Sequence, residues 1–357
     1  MIKSNQPTPR FNTEVSNVNR NSLYYQLLIN GNFDIWQEAT TVAAASASDG
    51  VTYVSDQWYN VQSTTAKWNF ALESTIVPIG STYSLKCSAS DVNIQVGVIQ
   101  PIEFVNATKY RGKTASISFQ AITTAGKTID NLRCALVNWT GTADTLTRDI
   151  VGTWAGNGTN PTLIANTTIL NTPVNLPLTT SWKTFKIENI LIPLTVNNLL
   201  LFIWTDDTTI TSGDEFYVAQ VQVNEGTIAL PFYPKDYNTE LTDCMRYYEP
   251  LFPPSTDFCF IVSRYSATGC GAQIFFRVIK HKDPILWVTG SNPYGRLVLY
   301  DTSFGVATVN VTGAAISQLT KYTCQITFTN DTYAGTSMQS SFDTNTMAST
   351  YSLISRL

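Results

Sequence analysis

Two acidic pairs, Asp206-Asp207 and Asp214-Glu215, are the groups in this chain best suited by type to hydrolytic chemistry. Glycoside hydrolysis needs two carboxylates flanking one bond, one to protonate the leaving oxygen and one to attack or to activate water. Both pairs fall in hydrophilic turn sequences, where a carboxylate ordinarily accepts turn amides. They are therefore read as solvated turn caps. The single histidine, His281, lies in VIKHKDP between Lys280 and Lys282 and ahead of a proline. It reads as a solvated strand end, not as a general base. The six cysteines, Cys87, Cys134, Cys244, Cys259, Cys270 and Cys324, include no C-x-x-C pair. With one histidine available, a zinc site would need almost all-thiolate ligation from scattered positions. They are read as buried free thiols of a protein made in a reducing cytosol. The sequence thus predicts no enzyme, no catalytic residue, no metal and no cofactor.

Sugar recognition asks for different groups. Aromatic rings stack on the apolar faces of sugars, while short polar side chains read the hydroxyls. The stretch NWTGTADTLTRDIVGTWAGNGTNPT, residues 138–162, is long and polar and carries two indoles. Loops at the end of a β-sandwich are where binding residues tend to sit. Trp139, Asp144, Trp154 and Asn157 are accordingly the candidate carbohydrate-binding residues. The other reading stays open, in which both indoles are ordinary core, Trp139 because it continues a strand.

The elements that would position these residues are β. The 357 residues are 43% hydrophobic but only 13% charged, and 12% are aromatic, with 8 Trp and 17 Tyr. That charged share is about half of what soluble domains usually carry. Thr, Asn and Ser supply the missing polarity, and Thr, Tyr, Trp and Val suit pleated, half-buried surfaces. The net charge is −4 and no Lys/Arg run occurs, so nucleic-acid binding is not expected. Met1 to Gln6 has no apolar core of a secretion signal. The most apolar stretch, Asn189 to Trp204, is too short and too interrupted to span a bilayer, so membrane insertion is not expected.

Residues 1–22 read as an extended arm. They carry Pro7, Pro9 and the basic residues Lys3, Arg10 and Arg20 against Glu14. Such a segment buries too little apolar area to fold alone. It is expected to anchor the chain to a partner through Arg10, Phe11 and Arg20. From 23 to 235 the pattern is strand after strand. TASISFQA alternates Ala115, Ile117, Phe119 and Ala121 with polar residues, which marks a strand covering a core on one side. NLRCALVN repeats this with Leu132, Cys134 and Leu136. FYVAQVQVNEG places Tyr217, Ala219, Val221 and Val223 on one face. NLLLFIW is apolar throughout, as for a strand buried on both faces. Turn clusters separate the runs, and the whole implies an antiparallel sandwich.

NTELTDCMRYYE predicts one short helix, capped by Asn238 or Thr239, with Glu240 in its first turn and Leu241, Met245 and Tyr248 on one face. Pro250, Pro253 and Pro254 end it. Residues 236–254 are thus a short helix and proline-rich linker, and 255–357 a second, smaller β domain.

The opening of the sandwich also carries a resemblance. LLINGNFDIWQ (27–37) resembles the start of a family of bacteriophage tail-fibre and other virion appendage proteins, typically N-L-L-I-N-G-N-F-x-I-W-Q. YVSDQWY (53–59) is similar to its Y-x-x-D-R-W segment, with Gln57 in place of Arg. GVIQPIEF followed by RGKTASISFQA (97–121), FYVAQVQVNEGTIALPFYP (216–234), ELTDCMRYYE (240–249) and AQIFFRVIKHKDPILWV (272–288) resemble further blocks, in the same order. Glu38-Ala39 stands where Arg-Gly is usual, and no long repetitive shaft is present. Within the reading, Asn30-Gly31 offers the positive-φ pair of a tight turn that launches the first strand.

The resemblance implies a carbohydrate-binding-module-like jelly roll followed by a small β-sandwich domain, in a non-enzymatic, commonly trimeric protein of the virion, made in the host cytoplasm. It implies other virion proteins as partners of the arm, sister subunits as partners of the body, and a host cell-surface glycan as ligand. A purely structural head-decoration or collar fibre, and a glycan-degrading tailspike, remain as alternatives. Modules of this kind often hold a calcium between the first strand and an Asp on the last. Here the last strand lacks that Asp, leaving Asp34 and backbone carbonyls.

Overall fold

The alternation of apolar and polar residues over 114–123 is realised as a ten-residue strand, Thr114–Thr123, with Ala115, Ile117, Phe119 and Ala121 all buried. In the computed structural model the described residues are 26–43, 51–63, 67–250, 258–266, 269–289, 296–301, 305–317, 320–330, 337–343 and 350–354. The anchoring residues expected in the arm, Arg10, Phe11 and Arg20, lie outside them, as do the prolines at 253 and 254. The chain divides into two units, one built mainly from residues up to Lys235 and one from Asp236 onward; the short pieces Ile35–Thr40 and Ser55–Gln57 belong to the second.

The first unit is an antiparallel jelly-roll sandwich. One sheet has six strands in the order Thr41–Val42, Trp68–Glu73, Ser84–Ala89, Glu215–Glu225, Thr114–Thr123, Lys183–Leu191. The other runs Thr167–Ile169, Asn131–Trp139, Asn198–Trp204, Val96–Ile102, Tyr59–Gln62, Val51–Tyr53, with Leu176–Pro177 also paired to Asn131–Trp139. Between the sheets lie Trp58, Trp68, Phe70, Phe119, Phe216 and Val223, all fully buried or nearly so. Trp68 meets Phe216 edge-on at 5.8 Å.

Asn198–Trp204 is buried on both faces, as its unbroken apolar sequence implies. Asn131–Trp139 is buried on both faces as well, which its alternation did not foretell. The reason lies in the chain that follows. Leu146, Ile150 and Val151, with Trp154, Leu163 and Ile164 beside them, lie over the outer face of this sheet and cover Tyr59, Ala135, Val137, Phe202 and Trp204. Residues that would otherwise face water thus gain a second core. Gly97 is needed beneath it: a Cβ there would sit 2.5 Å from the Phe202 ring and 2.8 Å from Trp204 Cβ.

The Glu215–Glu225 strand departs from simple alternation. Phe216 and Val218 pair with Cys87 and Leu85 and face the core, so Tyr217 faces outward, opposite to the sequence reading. The register shifts between Ala219 and Gln222, and Gln220 takes a positive φ of 52°. This bulge adds one residue and resets the phase, so Val221 and Val223 still face inward.

The opening segment also differs from expectation. Residues 26–37 form no regular strand. Asn30 has positive φ, but Gly31 is required for approach rather than for φ. Its carbonyl accepts Val221 N at 2.8 Å, and a Cβ would lie 2.1 Å from Val221 O. Trp58 buries its ring beside Phe33 and donates its indole N–H to Asn30 O at 3.0 Å.

The second unit begins with the helix Tyr237–Met245. Its cap is Asp236, two to three residues earlier than expected, accepting Asn238 N and Thr239 N at 3.0 and 3.4 Å. The buried stripe is Glu240 and Cys244, while Leu241 and Met245 are half-buried. Six strands then close into a barrel in the order Phe258–Ser266, Gly269–Phe275, Thr323–Asn330, Gly305–Ser317, Arg296–Asp301, Ser337–Asp343. The small β-sandwich expected here is thus closed at its edges, which leaves no unpaired edge strand in that ring. Tyr248–Pro250, Thr350–Ile354 and Ile285–Thr289 form a further three-stranded sheet.

Candidate functional site

The four residues expected to read a sugar take different roles, although Trp139 and Trp154 belong to the same apolar cluster. Trp139 is only 8% exposed, and its indole N–H is donated to Thr142 O at 2.9 Å. Gly141 folds over the ring so closely that a Cβ there would touch it at 2.3 Å. No ring face is left for a sugar; Trp139 is core, because it ends a strand whose outer face is covered. Asp144 is a structural acceptor: one oxygen takes Phe104 N at 2.8 Å and Asn198 Nδ2 at 2.6 Å. It thereby fixes the short helix Phe104–Ala107, which the sequence did not announce. Trp154 is half-buried and meets Phe202 edge-on at 6.1 Å. Asn157 is exposed, at positive φ, and donates to Thr208 Oγ1 at 3.0 Å.

The loop bearing Trp154 and Asn157 is held by Asp206 of the first acidic pair. Asp206 and Asp207 do take turn amides, but they are not solvated. Asp206 is fully buried; its Oδ2 accepts Arg133 Nη1 at 3.0 Å and Gly158 N at 2.6 Å. Arg133 spans onward to Pro173 O at 2.6 Å. Asp206 O also accepts Asn157 N at 3.0 Å, and Gln95 Nε2 reaches Ala155 O at 2.6 Å. Asp207 accepts Asp130 N at 3.0 Å and Asn131 Nδ2 at 2.7 Å. Burial raises its pKa to about 6, helped by the nearby charges of Asp130 and Asp206.

The second pair is engaged too. Asp214 accepts Thr128 N and Thr211 N at 2.8 and 2.7 Å, and the Thr128 hydroxyl, which together hold its pKa low against the opposing effect of burial. It is buried, so the solvated reading fails here as well. Glu215 pairs with Lys86 at 2.9 Å and accepts Thr124 Oγ1 at 2.7 Å. All four carboxylates hold their own turns and strands together.

His281 is likewise not a solvated strand end. It is 7% exposed and stacks on Tyr247 at 5.5 Å. Its neighbour Lys280 is fully buried, donating Nζ to Met245 O at 2.6 Å and to Glu249. Burial lowers the Lys280 pKa, while Glu249 holds it up. Cys87, Cys134, Cys244 and Cys324 are buried free thiols; the side chains of Cys259 and Cys270 are outside the described residues. Among the described residues no three His, Cys, Asp or Glu side chains come together to hold a metal.

An open cleft lies elsewhere, on the outer face of the six-stranded sheet. It has a volume of about 350 Å³ and is lined by Ser118, Gln120, Thr184, Lys186, Gln220, Phe232 and their neighbours. Outward-facing positions of three adjacent strands form its floor. The chain after the last strand folds back to form a wall, held where Leu230 O accepts Ser118 Oγ at 3.0 Å and where Gln222 Oε1 accepts Tyr233 N at 3.1 Å. The bulge aims Gln220 across the floor. Its Nε2 donates to Ile79 O and Ser81 Oγ at 2.9 and 3.0 Å, and its Oε1 accepts Gln120 Nε2 at 2.6 Å. That chain fixes the Gln120 amide and leaves Gln120 Oε1 without a protein partner. Among the described residues, the Thr184 hydroxyl and the Lys186 ammonium, both on exposed residues, have none either. Three free polar groups of different character thus surround a half-buried Phe232 ring. Small-molecule sites usually have volumes of roughly 300–1,000 Å³, so the cleft is at the small end of that range.

The sequence named Leu230-Pro231-Phe232 only as the end of the sandwich. Nothing in it shows that this segment returns over Ser118 and Gln120, because the pairing partners are more than a hundred residues away.

No protein-family model matches the chain, and no curated protein does. Solved structures do resemble it. The enzymatically active domain of bacteriophage CBA120 tailspike protein 4 matches with TM-score 0.35 and 11% identity, over 57% of this chain and 22% of that one. TmCBM61, solved in complex with β-1,4-galactotriose, matches with TM-score 0.32 and 11% identity, over 57% of this chain and 99% of that one. The CBM22-1 xylan-binding domain of Paenibacillus barcinonensis Xyn10C matches with TM-score 0.33 and 13% identity, over 57% and 97%. The strand pairing described above, and not these likenesses, defines the fold.

Proposed function

We propose that this chain is a non-catalytic, glycan-binding appendage protein of a bacteriophage particle, and that the cleft on its six-stranded sheet takes the sugar. The observation that carries the reading is the cleft itself: Gln120 Oε1, Thr184 Oγ1 and Lys186 Nζ stand free around Phe232, on a rigid sheet. A sugar offers the complementary set, hydroxyls on its edge and an apolar ring face. A preorganised group, such as the Gln120 amide held by Gln220, binds at little entropic cost. The engagement of Asp206, Asp207, Asp214 and Glu215 in local hydrogen bonds supports binding without hydrolysis.

The virion setting rests on the ordered blocks from LLINGNFDIWQ to AQIFFRVIKHKDPILWV. In this proposal residues 1–22 dock on another virion protein, and the body assembles as a trimer. Deleting residues 2–22 is expected to leave thermal stability unchanged and to remove the protein from assembled particles.

Titration calorimetry against host surface oligosaccharides tests the binding. Gln120→Ala and Thr184→Ala are expected to weaken it by about 1 kcal/mol each, the usual net value of one hydrogen bond. Trp154→Ala is expected to leave it unchanged. If instead Trp154→Ala abolishes binding and the cleft variants do not, the sugar sits on the 146–169 segment.

A further inference from the structure

We infer that the glycan taken by this cleft is an acidic one, with an anionic group of the sugar seated on Lys186. The inference rests on the binding role proposed for the cleft.

The charges around the cleft are few. Thr114–Thr123 points Ser116, Ser118 and Gln120 outward, and Glu215–Glu225 points Gln220, Gln222 and Asn224 outward beside them. All six are neutral. On the edge strand Lys183–Leu191, the outward residues are Thr184, Lys186 and Glu188. Glu188 does not line the cleft, and its carboxylate already accepts Ala229 N at 2.9 Å. Lys186 is therefore the one charge among the lining residues, and it has no ion-pair partner among the described residues.

Among the described residues of the first unit, every other lysine has an ion-pair, hydrogen-bond or ring partner, including Lys109 to Asn106, Lys127 to Gly213 O and Lys235 to Leu28 O. The others are Lys67 with Asp91, Lys86 with Glu215, Lys113 with Glu225, and Lys183 over the Phe185 ring at 5.0 Å. A protein of net charge −4 repels anionic polymers at long range, so selection of one needs a local cation. Lys186 provides it, next to a free hydroxyl and a fixed amide oxygen. The ammonium would take a sugar carboxylate as a charge-assisted contact, while Thr184 and Gln120 read adjacent hydroxyls.

The test uses the full chain and pairs of oligosaccharides of one linkage that differ only in a uronate against a neutral sugar, with inorganic phosphate as a third probe. Lys186→Met is exposed and is expected to keep the wild-type melting temperature. The acidic member is expected to bind about tenfold tighter than the neutral one, and Lys186→Met to erase that difference. The preference is expected to shrink as salt rises from about 0.05 to about 0.5 M, since the contact is partly exposed. Equal binding of both members, with Lys186→Met silent and Thr184→Ala harmful, would overturn the inference and leave the binding role intact. Absence of binding to either member would overturn both. Phosphate binding that Lys186→Met removes, without any preference for the uronate, would reduce the site to a simple anion site and overturn the inference.

Discussion

Replacing Asp206 by Ala should unfold the first unit more readily than any change on its surface. Asp206 Oδ2 accepts both Arg133 Nη1 and Gly158 N, and both side chains of the ion pair are almost wholly buried, 5% exposed for Arg133 and 0% for Asp206. The substitution leaves the Arg133 guanidinium in the interior with only Pro173 O as a partner. Breaking a buried pair from one side costs about 3–5 kcal/mol, because an uncompensated charge is stranded. For a unit of this size that corresponds to a fall in melting temperature on the order of 10 °C. The same change frees the loop at 155–158, so protease cleavage near Gly158 should rise with it. Urea denaturation gives the free energy. The decisive variant is Asp206→Ala combined with Arg133→Met, which removes the stranded charge. It should be more stable than Asp206→Ala alone by about 1 kcal/mol or more. If Asp206→Ala costs less than about 1 kcal/mol, or if Arg133→Met adds its own full cost on top, the pair is not the post that holds this loop.

Other expectations concern the same unit. Asp207 has its folded pKa raised to about 6 by burial, so the folded state binds this proton more tightly than the unfolded chain does. Its contribution to stability is therefore absent above pH 6 and grows as pH falls from about 6 towards the ordinary carboxylate range near 4. Melting curves should show wild type gaining on Asp207→Asn across that window, and parallel pH profiles for the two would remove the claim. Gly97→Ala places a methyl group 2.5 Å from the Phe202 ring and 2.7 Å from Ile203 O; a loss of about 2–3 kcal/mol by denaturant titration is expected, as for an overpacked core. Light scattering on the purified chain should report a trimer; a clean monomer at micromolar concentration would count against the assembly.

Much of the sandwich was legible because period-two patterning is a local property. Thr114–Thr123 reveals its core-facing residues, and Asn198–Trp204 its burial on both faces, from their own residues. Where the outcome depended on distant chain, the sequence was silent or misleading. Ala135 and Val137 face a second core only because residues 146–164 happen to cover them. A single bulge at Gln220 inverted the reading of Tyr217 and Phe216. Asp206 was recognisable as a turn acceptor, but its burial depends on an arginine far earlier in the chain. Trp139 continues its strand, as the core reading had it, but the hydrogen bond to Thr142 that fixes its indole has no local signature. The cleft was invisible for the same reason: Gln120, Thr184, Gln220 and Phe232 come from four separate stretches.

The most direct test is a crystal structure of the chain soaked with an oligosaccharide that it binds in solution. The account predicts sugar density in the cleft, a hydroxyl on Thr184 and Gln120, and a ring face near Phe232. Density on the 146–169 segment beside Trp154, with the cleft empty, would contradict it.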